Sequence, residues 1–310
     1  EERLAHLYSP YFDDARALYL CTGYMANLAL MTSLARLDDD TVFFSERLNH
    51  ASIIDGLRLA RAKTHIYEHG DVAQLGQLLT DTPAALKVVV TDSVFSMDGN
   101  VAPLHQLADL CRQRNAILVI DDAHGFGVLG DRGLGVLEAL SLNYANMIYM
   151  GTLGKAAGVS GAFIVASGQL IEWVVQQARS YIYTTAAAPA LAHALQTSLD
   201  LITGAEGKQR RECLAEHRAT LRQYLHLQKW LAPKSDTAIQ PVIIGANHAA
   251  SQVGSFLWHQ GLWVAAIRPP TVPADTARLR ITLSAAHSRN EVTRLARAIA
   301  QAEQEYAGQE

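Results

Sequence analysis

Short apolar runs rich in β-branched residues alternate with longer stretches of helical periodicity through the first part of the chain. Such runs are typical of buried strands, and they predict strands near Val42–Phe44, Val88–Thr91, Ile117–Asp121, Met147–Met150 and Ala162–Val165. Between them, apolar residues recur every three or four positions and predict helices over 24–36, 51–62, 103–115 and 168–181. This alternation is typical of βαβ units. It predicts an α/β fold with a mainly parallel sheet flanked by helices, whose ligand crevice lies at the carboxyl ends of the strands.

The pattern changes after about residue 186. A long helical stretch runs from Ala190 to Leu227 and is interrupted at 203–207. Beyond it, strand-like runs at 239–244, 262–267 and 279–283 accompany helical patterns around 249–260 and 289–304. We therefore predict a large domain over 1–203 and a smaller C-terminal α/β domain over 204–310.

Composition and charge exclude several classes of protein. The 310 residues carry 26 Lys and Arg against 30 Asp and Glu, a net charge of −4, which argues against a nucleic-acid binder that works through a basic surface. A hydrophobic content of 49% argues against intrinsic disorder. The uncharged stretch 17–35 has the length of a membrane span, but Cys21-Thr22-Gly23 interrupts it and indicates a turn into a buried helix. Three scattered cysteines predict neither a disulfide framework nor a zinc site, and with no signal peptide they favour the cytosol.

Lys155 is the first candidate for chemistry. It is the only charged residue between Glu138 and Glu172, and it lies in the glycine-rich segment 151–158. Burial would lower the pKa of such an amine and make it a nucleophile suited to a Schiff base. The alternative is a loop lysine whose ammonium group reaches solvent.

A second candidate follows the buried-type strand at 117–121, which runs into Asp121, Asp122 and His124. Polar groups at this end of a parallel strand face the ligand crevice. With pyridoxal phosphate as cofactor, an acid there would pair with the pyridine nitrogen and keep it protonated. Two alternatives stay open: the acids are loop or cap residues, or Asp-x-x-His contributes to a metal site, for which no second ligand cluster is found.

Two further segments carry groups suited to anions. Thr22-Gly23-Tyr24 enters a helix whose first amides can hold a phosphate, and the hydroxyls of Thr152, Thr184 and Thr185 can serve the same group. In the smaller domain, Arg268, Arg278 and Arg280 offer guanidinium groups for a substrate carboxylate. Alternation puts Arg278 and Arg280 on one strand face, so a structural ion pair is the alternative for at least one of them. His50 precedes a helix, where its imidazole can lie flat on an aromatic ring.

Taken together, these segments resemble the α-oxoamine synthases, a pyridoxal-phosphate family of fold type I. The resemblance covers essentially the whole chain through several motifs in the same order, namely Thr22-Gly23-Tyr24-Met25-Ala26-Asn27, Asn49-His50-Ala51-Ser52, Thr91-Asp92-Ser93-Val94-Phe95-Ser96-Met97-Asp98-Gly99, Asp121-Asp122-Ala123-His124-Gly125-Phe126-Gly127 and Gly151-Thr152-Leu153-Gly154-Lys155. Family members carry several tens of residues before the first residue of this chain, including an N-terminal arm, so the large domain is expected to lack that arm.

The resemblance implies a role for each candidate residue. Lys155 would carry the cofactor as a Schiff base, Asp121 would pair with the pyridine nitrogen, His124 would bond the phenolic oxygen and His50 would stack on the ring. Ser96 would approach the cofactor, while Gly23, Tyr24 and Thr152 would hold its phosphate. Thr184 or Thr185 would reach the phosphate of the neighbouring subunit in a homodimer. Arg280 would grip the amino-acid carboxylate, and Arg268 would lie near the acyl substrate.

Within the family, the segment 266–273 with 276–280 and 285–287 is similar to the member of the biotin pathway. That similarity implies decarboxylative condensation of L-alanine with pimeloyl-CoA or pimeloyl-acyl carrier protein, without nucleic acid or membrane as a partner. One alternative is 2-amino-3-ketobutyrate ligase, which joins glycine and acetyl-CoA, because Thr91-Asp92 and 151–155 are similar to its motifs as well. Another is a protein that binds pyridoxal phosphate without turnover.

Overall fold

The computed structural model describes residues 1–308, which divide into two compact units. The first unit comprises residues 1–95 and 101–208, and the second comprises residues 96–100 and the chain from residue 209 onward. The domain boundary at 203/204 stays a prediction.

A seven-stranded sheet forms the centre of the first unit. Its strands are β1 (Ala15–Leu20), β2 (Thr41–Glu46), β3 (Lys63–Tyr67), β4 (Leu86–Asp92), β5 (Ile117–Asp121), β6 (Met147–Thr152) and β7 (Ala162–Ser167). Their order is β1-β7-β6-β5-β4-β2-β3. The strands from β3 to β6 are parallel, whereas β7 is antiparallel to β6 and β1 is antiparallel to β7. The prediction of a mainly parallel sheet is confirmed.

Helices cover both faces of this sheet. They are α1 (Glu2–Tyr8), α2 (Gly23–Leu34), α3 (Ala51–Ala60), α4 (Val72–Asp81), α5 (Leu104–Arg114), α6 (Val136–Ala139), α7 (Gly168–Gln177), α8 (Arg179–Ile182) and α9 (Pro189–Thr203). A helix of 20 residues, α10 (Ala205–Tyr224), contains the boundary between the units.

The two faces of the sheet carry separate hydrophobic cores. Strand side chains alternate between them, so Leu118 and Ile120 lie in one core while Ile117 and Val119 lie in the other, with α2. Central strands buried on both faces must be apolar throughout. This is why β4, β5 and β6 were recognisable as continuous apolar runs.

The sequence pattern missed several elements and merged two. The helix predicted over 168–181 is divided at Ala178, whose backbone is extended, into α7 and α8. The short polar strand β3, the strand β1 and the helices α1 and α4 were not predicted. The turn predicted at Cys21-Thr22-Gly23 is confirmed, because β1 ends at Leu20 and α2 begins at Gly23. Within residues 1–308, no helix is long and apolar enough to cross a bilayer.

The second unit contains a three-stranded antiparallel sheet. Its strands are β8 (Ile239–Gly245), β9 (Ala265–Ile267) and β10 (Ala277–Thr282), in the order β8-β10-β9. The helices α11 (Asn247–His259) and α12 (Arg289–Tyr306) pack on it around Val253, Leu279 and Ile299. The predicted small α/β unit is therefore present, although the strand expected over 262–267 is shorter.

Candidate active site

Polar side chains end four neighbouring parallel strands of the first unit. The strands β2, β4, β5 and β6 finish at Glu46, Asp92, Asp121 and Thr152. Because these strands run in the same direction, their last residues lie along one edge of the sheet. In an otherwise apolar sheet, this edge is where a polar ligand can bind.

Asp121 is buried at this edge and accepts two hydrogen bonds. Its side chain takes one from Asn27 Nδ2 at 2.7 Å and one from the amide of Ala123 at 3.0 Å. Burial raises the pKa of the Asp121 carboxyl, and the two donors and the ammonium group of Lys155 act in the opposite direction. The side chain is thus held in one orientation, with donors that favour its ionised form.

A hydrogen-bond chain joins Asp121 to His50. The amide nitrogen of Asn27 also donates to Ser52 Oγ at 2.8 Å, and Ser52 Oγ lies 2.7 Å from His50 Nδ1. The amide of Ser52 donates to the same Nδ1 at 3.2 Å, so Nδ1 is the acceptor in this contact. His50 is the N-cap of α3, which fixes its position at the sheet edge.

Lys155 follows the last residue of β6 and lies beside His124. Its Nζ is 2.9 Å from His124 Nε2. The Lys155 side chain is exposed, which corrects the expectation of a buried amine. Burial raises the pKa of both Asp92 and Asp121, and the positive charge of Lys155 acts against it on both, so the lysine, the histidine and the two acids belong to one site.

The N-terminus of α2 supplies the backbone donors of this site. Thr22 caps the helix by accepting from the amide of Met25 at 3.1 Å, and the first helical hydrogen bond runs from Ala26 to Thr22. The amides of Gly23 and Tyr24 precede that bond and are directed toward the open end of the helix. A Cβ on Gly23 would lie 3.6 Å from Thr152 Oγ1, so backbone amides and a hydroxyl group meet here.

Asp122 has a different environment from Asp121, although the two are adjacent. It is fully buried, and it accepts from the Ser93 hydroxyl, from the amide of Val136 at 2.9 Å and from Tyr149 Oη at 2.7 Å. These contacts anchor the loop that carries His124. The alternative of a structural acid therefore fits the contacts of Asp122.

The two predicted threonines lie in an exposed loop of the first unit. Thr184 and Thr185 line a cleft of about 350 Å³, together with Cys21 and Met25. The carbonyl of Thr185 accepts a hydrogen bond from Cys21 Sγ at 3.6 Å. Their predicted contact with the phosphate of a neighbouring copy stays a prediction.

Three predicted residues belong to the second unit. Arg280 Nε donates to the carbonyl of Ser96, and Arg280 Nη1 lies 2.8 Å from Thr282 Oγ1. Burial lowers the pKa of the Arg280 guanidinium. Arg268 is exposed and donates to Ser251 Oγ at 3.1 Å. Arg278, in contrast, forms a buried ion pair with Asp98, so it is the structural arginine of the pair that alternation put on one face.

The groups gathered in the first unit fit pyridoxal phosphate. Amides at the start of α2 and the Thr152 hydroxyl suit a phosphate, a buried carboxylate suits a protonated ring nitrogen, and a lysine amine suits an aldehyde. The buried Oδ1 of Asn27 has no hydrogen-bond partner within the described residues, which leaves an acceptor beside the acid for a donor group of a ligand. Across residues 1–308, no group of three or more His, Cys, Asp or Glu side chains is placed to hold a metal ion.

Residues 1–299 match the model of the family "Aminotransferase class I and II", to which the chain belongs. The chain is 59% identical over 305 residues to the 8-amino-7-oxononanoate synthase of Janthinobacterium sp. (strain Marseille), covering 98% of this chain and 77% of that protein. It is 53% identical to the enzyme of the same name from Bordetella petrii, with 98% and 76% covered.

Solved structures agree with these sequence matches. The 8-amino-7-oxononanoate synthase of Francisella tularensis superposes with a TM-score of 0.83 at 27% identity, covering 99% of this chain and 87% of that one. The serine palmitoyltransferase of Sphingomonas wittichii superposes with a TM-score of 0.90 at 28% identity, covering 99% and 76%. The fold is that of the pyridoxal-phosphate-dependent transferases of fold type I.

Sequence reasoning gave no role to three residues of the site. Asn27 and Ser52 lie inside motifs that were recognised, but only the packing of α2 against α3 shows that they link Asp121 to His50. Asp92 was likewise only part of a motif. A usable signal was present for Asn27, because it is a buried amide in the otherwise apolar first turns of α2.

Proposed function

We propose that this chain condenses L-alanine with a pimeloyl thioester to give 8-amino-7-oxononanoate, the reaction of its relatives in biotin biosynthesis, with pyridoxal phosphate as cofactor. The thiol of the acyl carrier and carbon dioxide are the leaving products. The observation that carries the proposal is that the Lys155–His124 pair and the hydrogen-bond chain from Asp121 to His50 lie at one edge of the sheet. The names of relatives at 53% and 59% identity support the substrate pair.

When bound, pyridoxal phosphate supplies an aldehyde that takes up an amino group and a ring that withdraws electrons from the α-carbon of an amino acid. Asp121 would hold the proton of the ring nitrogen. The Asn27 and Ala123 donors keep the Asp121 carboxylate oriented for this contact. The imidazole of His50, fixed through Ser52, would lie against the ring.

Lys155 would bind the cofactor covalently and, once its amine is displaced by alanine, would take the α-proton at Nζ. His124 Nε2 is 2.9 Å from that nitrogen, so the imidazole holds the amine in place and would bond the phenolic oxygen. The amides of Gly23 and Tyr24 with Thr152 would hold the phosphate, and Ser96 would approach the cofactor.

Substrate recognition would depend on the second unit. Arg280 would hold the carboxylate of alanine, because a guanidinium group offers paired donors in a fixed geometry. Fixing the carboxylate determines which bond at the α-carbon is activated. Arg268 would lie near the acyl chain. The acyl carrier would be coenzyme A or an acyl carrier protein. The same proposal includes a homodimer in the cytosol, in which Thr184 or Thr185 would reach the phosphate bound by the neighbouring subunit.

The decisive experiment uses the purified chain loaded with pyridoxal phosphate. We would record its absorbance spectrum while adding L-alanine or glycine, and then assay thiol release from pimeloyl-CoA and from acetyl-CoA. Thiol release that requires L-alanine and pimeloyl-CoA is expected. Faster release with glycine and acetyl-CoA would instead identify a 2-amino-3-ketobutyrate ligase, and cofactor binding without any thiol release would leave a binding protein.

The assignment of Lys155 has its own test. Lys155→Ala should lose the visible absorbance of lysine-bound pyridoxal phosphate and the retention of cofactor after borohydride treatment, because no other amine takes its place. Lys63→Ala, which removes an exposed lysine on β3, is the matched control and should keep both signals. Unchanged absorbance in Lys155→Ala would show that another group binds the cofactor.

A further inference from the structure

Asp92 is a buried acid that the proposed reaction does not use. It ends β4, and it is the Cα partner of Asp121 in the parallel ladder between β4 and β5. Neighbouring strands lie about 4.8 Å apart, and paired residues of a parallel ladder project to the same face. Asp92 is 5% exposed and Asp121 is 4% exposed. Two carboxyl groups therefore lie side by side in the interior of the site.

Hydrogen-bond donors are divided unequally between the two side chains. Asp121 accepts from Asn27 and from the amide of Ala123, whereas Asp92 Oδ2 accepts from the amide of His50 at 3.1 Å. Donors stabilise a carboxylate relative to the neutral acid. Of the two carboxyl groups, that of Asp121 is therefore the one favoured to be ionised.

The charges that surround Asp92 lead to the same assignment. Burial raises the pKa of the Asp92 carboxyl well above its ordinary value, and the charge of Asp121 raises it further, as does that of Glu46 at the end of β2. Lys155 and the amide of His50 act in the opposite direction. Two adjacent buried carboxyls do not both ionise readily, since each charge disfavours the other.

We propose that Asp92 is a positioning residue that holds the one proton of this carboxyl pair, so that Asp121 carries the negative charge that meets the ring nitrogen of the cofactor. The identity of the ring rests on the proposed function, but the location of the proton is a property of the chain alone. The neutral Asp92 also anchors the backbone of His50 through the 3.1 Å contact. The pair thus prevents a second buried charge from competing for the cation at the ring nitrogen.

The test is carbon-13 NMR of the full chain labelled at the aspartate carboxyl carbons, loaded with pyridoxal phosphate and again after the cofactor has been removed. The Asp92 signal is the one that disappears in Asp92→Asn, and the Asp121 signal is the one that disappears in Asp121→Asn. At pH 7 we expect the Asp92 carbon at the chemical shift of a neutral acid and the Asp121 carbon at that of a carboxylate. Asp92→Glu provides the assignment if the Asn variant does not fold.

A carboxylate shift for Asp92 at pH 7, in either sample, overturns the proposal. Cofactor affinity gives a second readout. Asp92→Asn, which mimics the neutral acid, should bind pyridoxal phosphate within about threefold of the unchanged chain, whereas Asp121→Asn should bind it about tenfold or more weakly, because it loses a hydrogen bond to a charged group. Equal weakening in both variants would contradict a neutral Asp92.

The two proposals fail in different ways. If the chain does not bind pyridoxal phosphate at all, the proposed function is wrong, yet the spectrum of the cofactor-free chain still decides where the proton lies. If the cofactor binds and Asp92 is ionised, the function stands and the role of Asp92 is wrong.

Discussion

Asp121 and Asp122 show how one step along a strand changes the role of an acid. Alternation directs Asp121 toward α2, where Asn27 binds it, and directs Asp122 toward the opposite core, where it meets Tyr149. A Cβ at Gly135 would lie 1.8 Å from Asp122 Oδ2, so the backbone must approach this acid without a side chain. At Gly135 the backbone φ is +78°, which also favours glycine.

We predict that Asp122→Asn changes the pH dependence of stability. Burial raises the pKa of the Asp122 carboxyl to about 7 from 3.8. Between these values the folded chain keeps a proton that the unfolded chain releases, so the free energy of unfolding falls as pH rises, by about 1.4 kcal/mol per pH unit at most. Asparagine does not titrate. From pH 5 to 6, the free energy of unfolding of the variant should therefore rise by up to about 1.4 kcal/mol relative to that of the unchanged chain.

Urea unfolding at pH 5, 6 and 7 measures this difference, with the exposed acid variant Asp13→Asn as control. A difference between Asp122→Asn and the unchanged chain that stays constant over this range would contradict a raised pKa for Asp122.

The contact between α2 and α3 is the element-scale feature on which the site depends. α2 carries Asn27 and α3 begins beside His50 and Ser52, so their spacing sets the hydrogen-bond chain to Asp121. Gly56 permits this spacing, because a Cβ there would lie 2.9 Å from Met31 Cγ and 3.1 Å from the carbonyl of Asn27. The close approach requires glycine at this position of α3.

Gly56→Ala should therefore destabilise the chain and weaken cofactor binding. Alanine improves helix propensity by about 1 kcal/mol, but overpacking costs about 1–3 kcal/mol, so we expect a net loss of about 1 kcal/mol. Gly76→Ala on α4 is the matched control. Its Cβ would meet Leu110 at 3.7 Å, an ordinary contact, and it should stabilise the chain. Denaturant unfolding and cofactor titration measure both effects, and two stabilised variants would refute the argument about spacing.

At the scale of the whole molecule, a short segment of the first half of the chain belongs to the second unit. Residues 96–100 follow Phe95 and precede Val101, yet they pack with the chain from residue 209 onward. Arg278 donates to Asp98 and to the carbonyl of Met97 at 3.3 Å, and Gly99 O accepts from Ser235 Oγ at 2.7 Å. Contacts between residues so far apart in sequence hold this segment in place.

Arg278→Met should loosen the segment 96–100. The change removes an ion pair in which Arg278 is buried and Asp98 keeps 32% of its side chain exposed. We therefore expect the free energy of unfolding to fall by about 1–3 kcal/mol, less than for a fully buried pair. Faster amide hydrogen exchange in 96–100 should accompany it. Arg289→Met, at the exposed start of α12, is the control and should leave exchange there unchanged. Equal exchange in the two variants would show that Arg278 does not hold the segment.

The sequence by itself determined the strands that are buried on both faces and the residues at their ends. Continuous apolar runs identify β4, β5 and β6, and Asp121 and Lys155 follow from their positions after such runs. It did not reveal β3, because a half-exposed strand of polar composition at the edge of the sheet has no such run. The strand β1 overlaps the uncharged stretch 17–35, whose pattern indicated only the turn and the helix after it.

Only the tertiary structure decided which groups support these residues. Asn27 and Asp121 are 94 positions apart, and their hydrogen bond exists because α2 packs on one face of the sheet. The pairing of Asp92 with Asp121 depends on the order and register of β4 and β5, which no local pattern specifies. Local periodicity reports the burial of each element, whereas hydrogen bonds between elements depend on how the elements pack together.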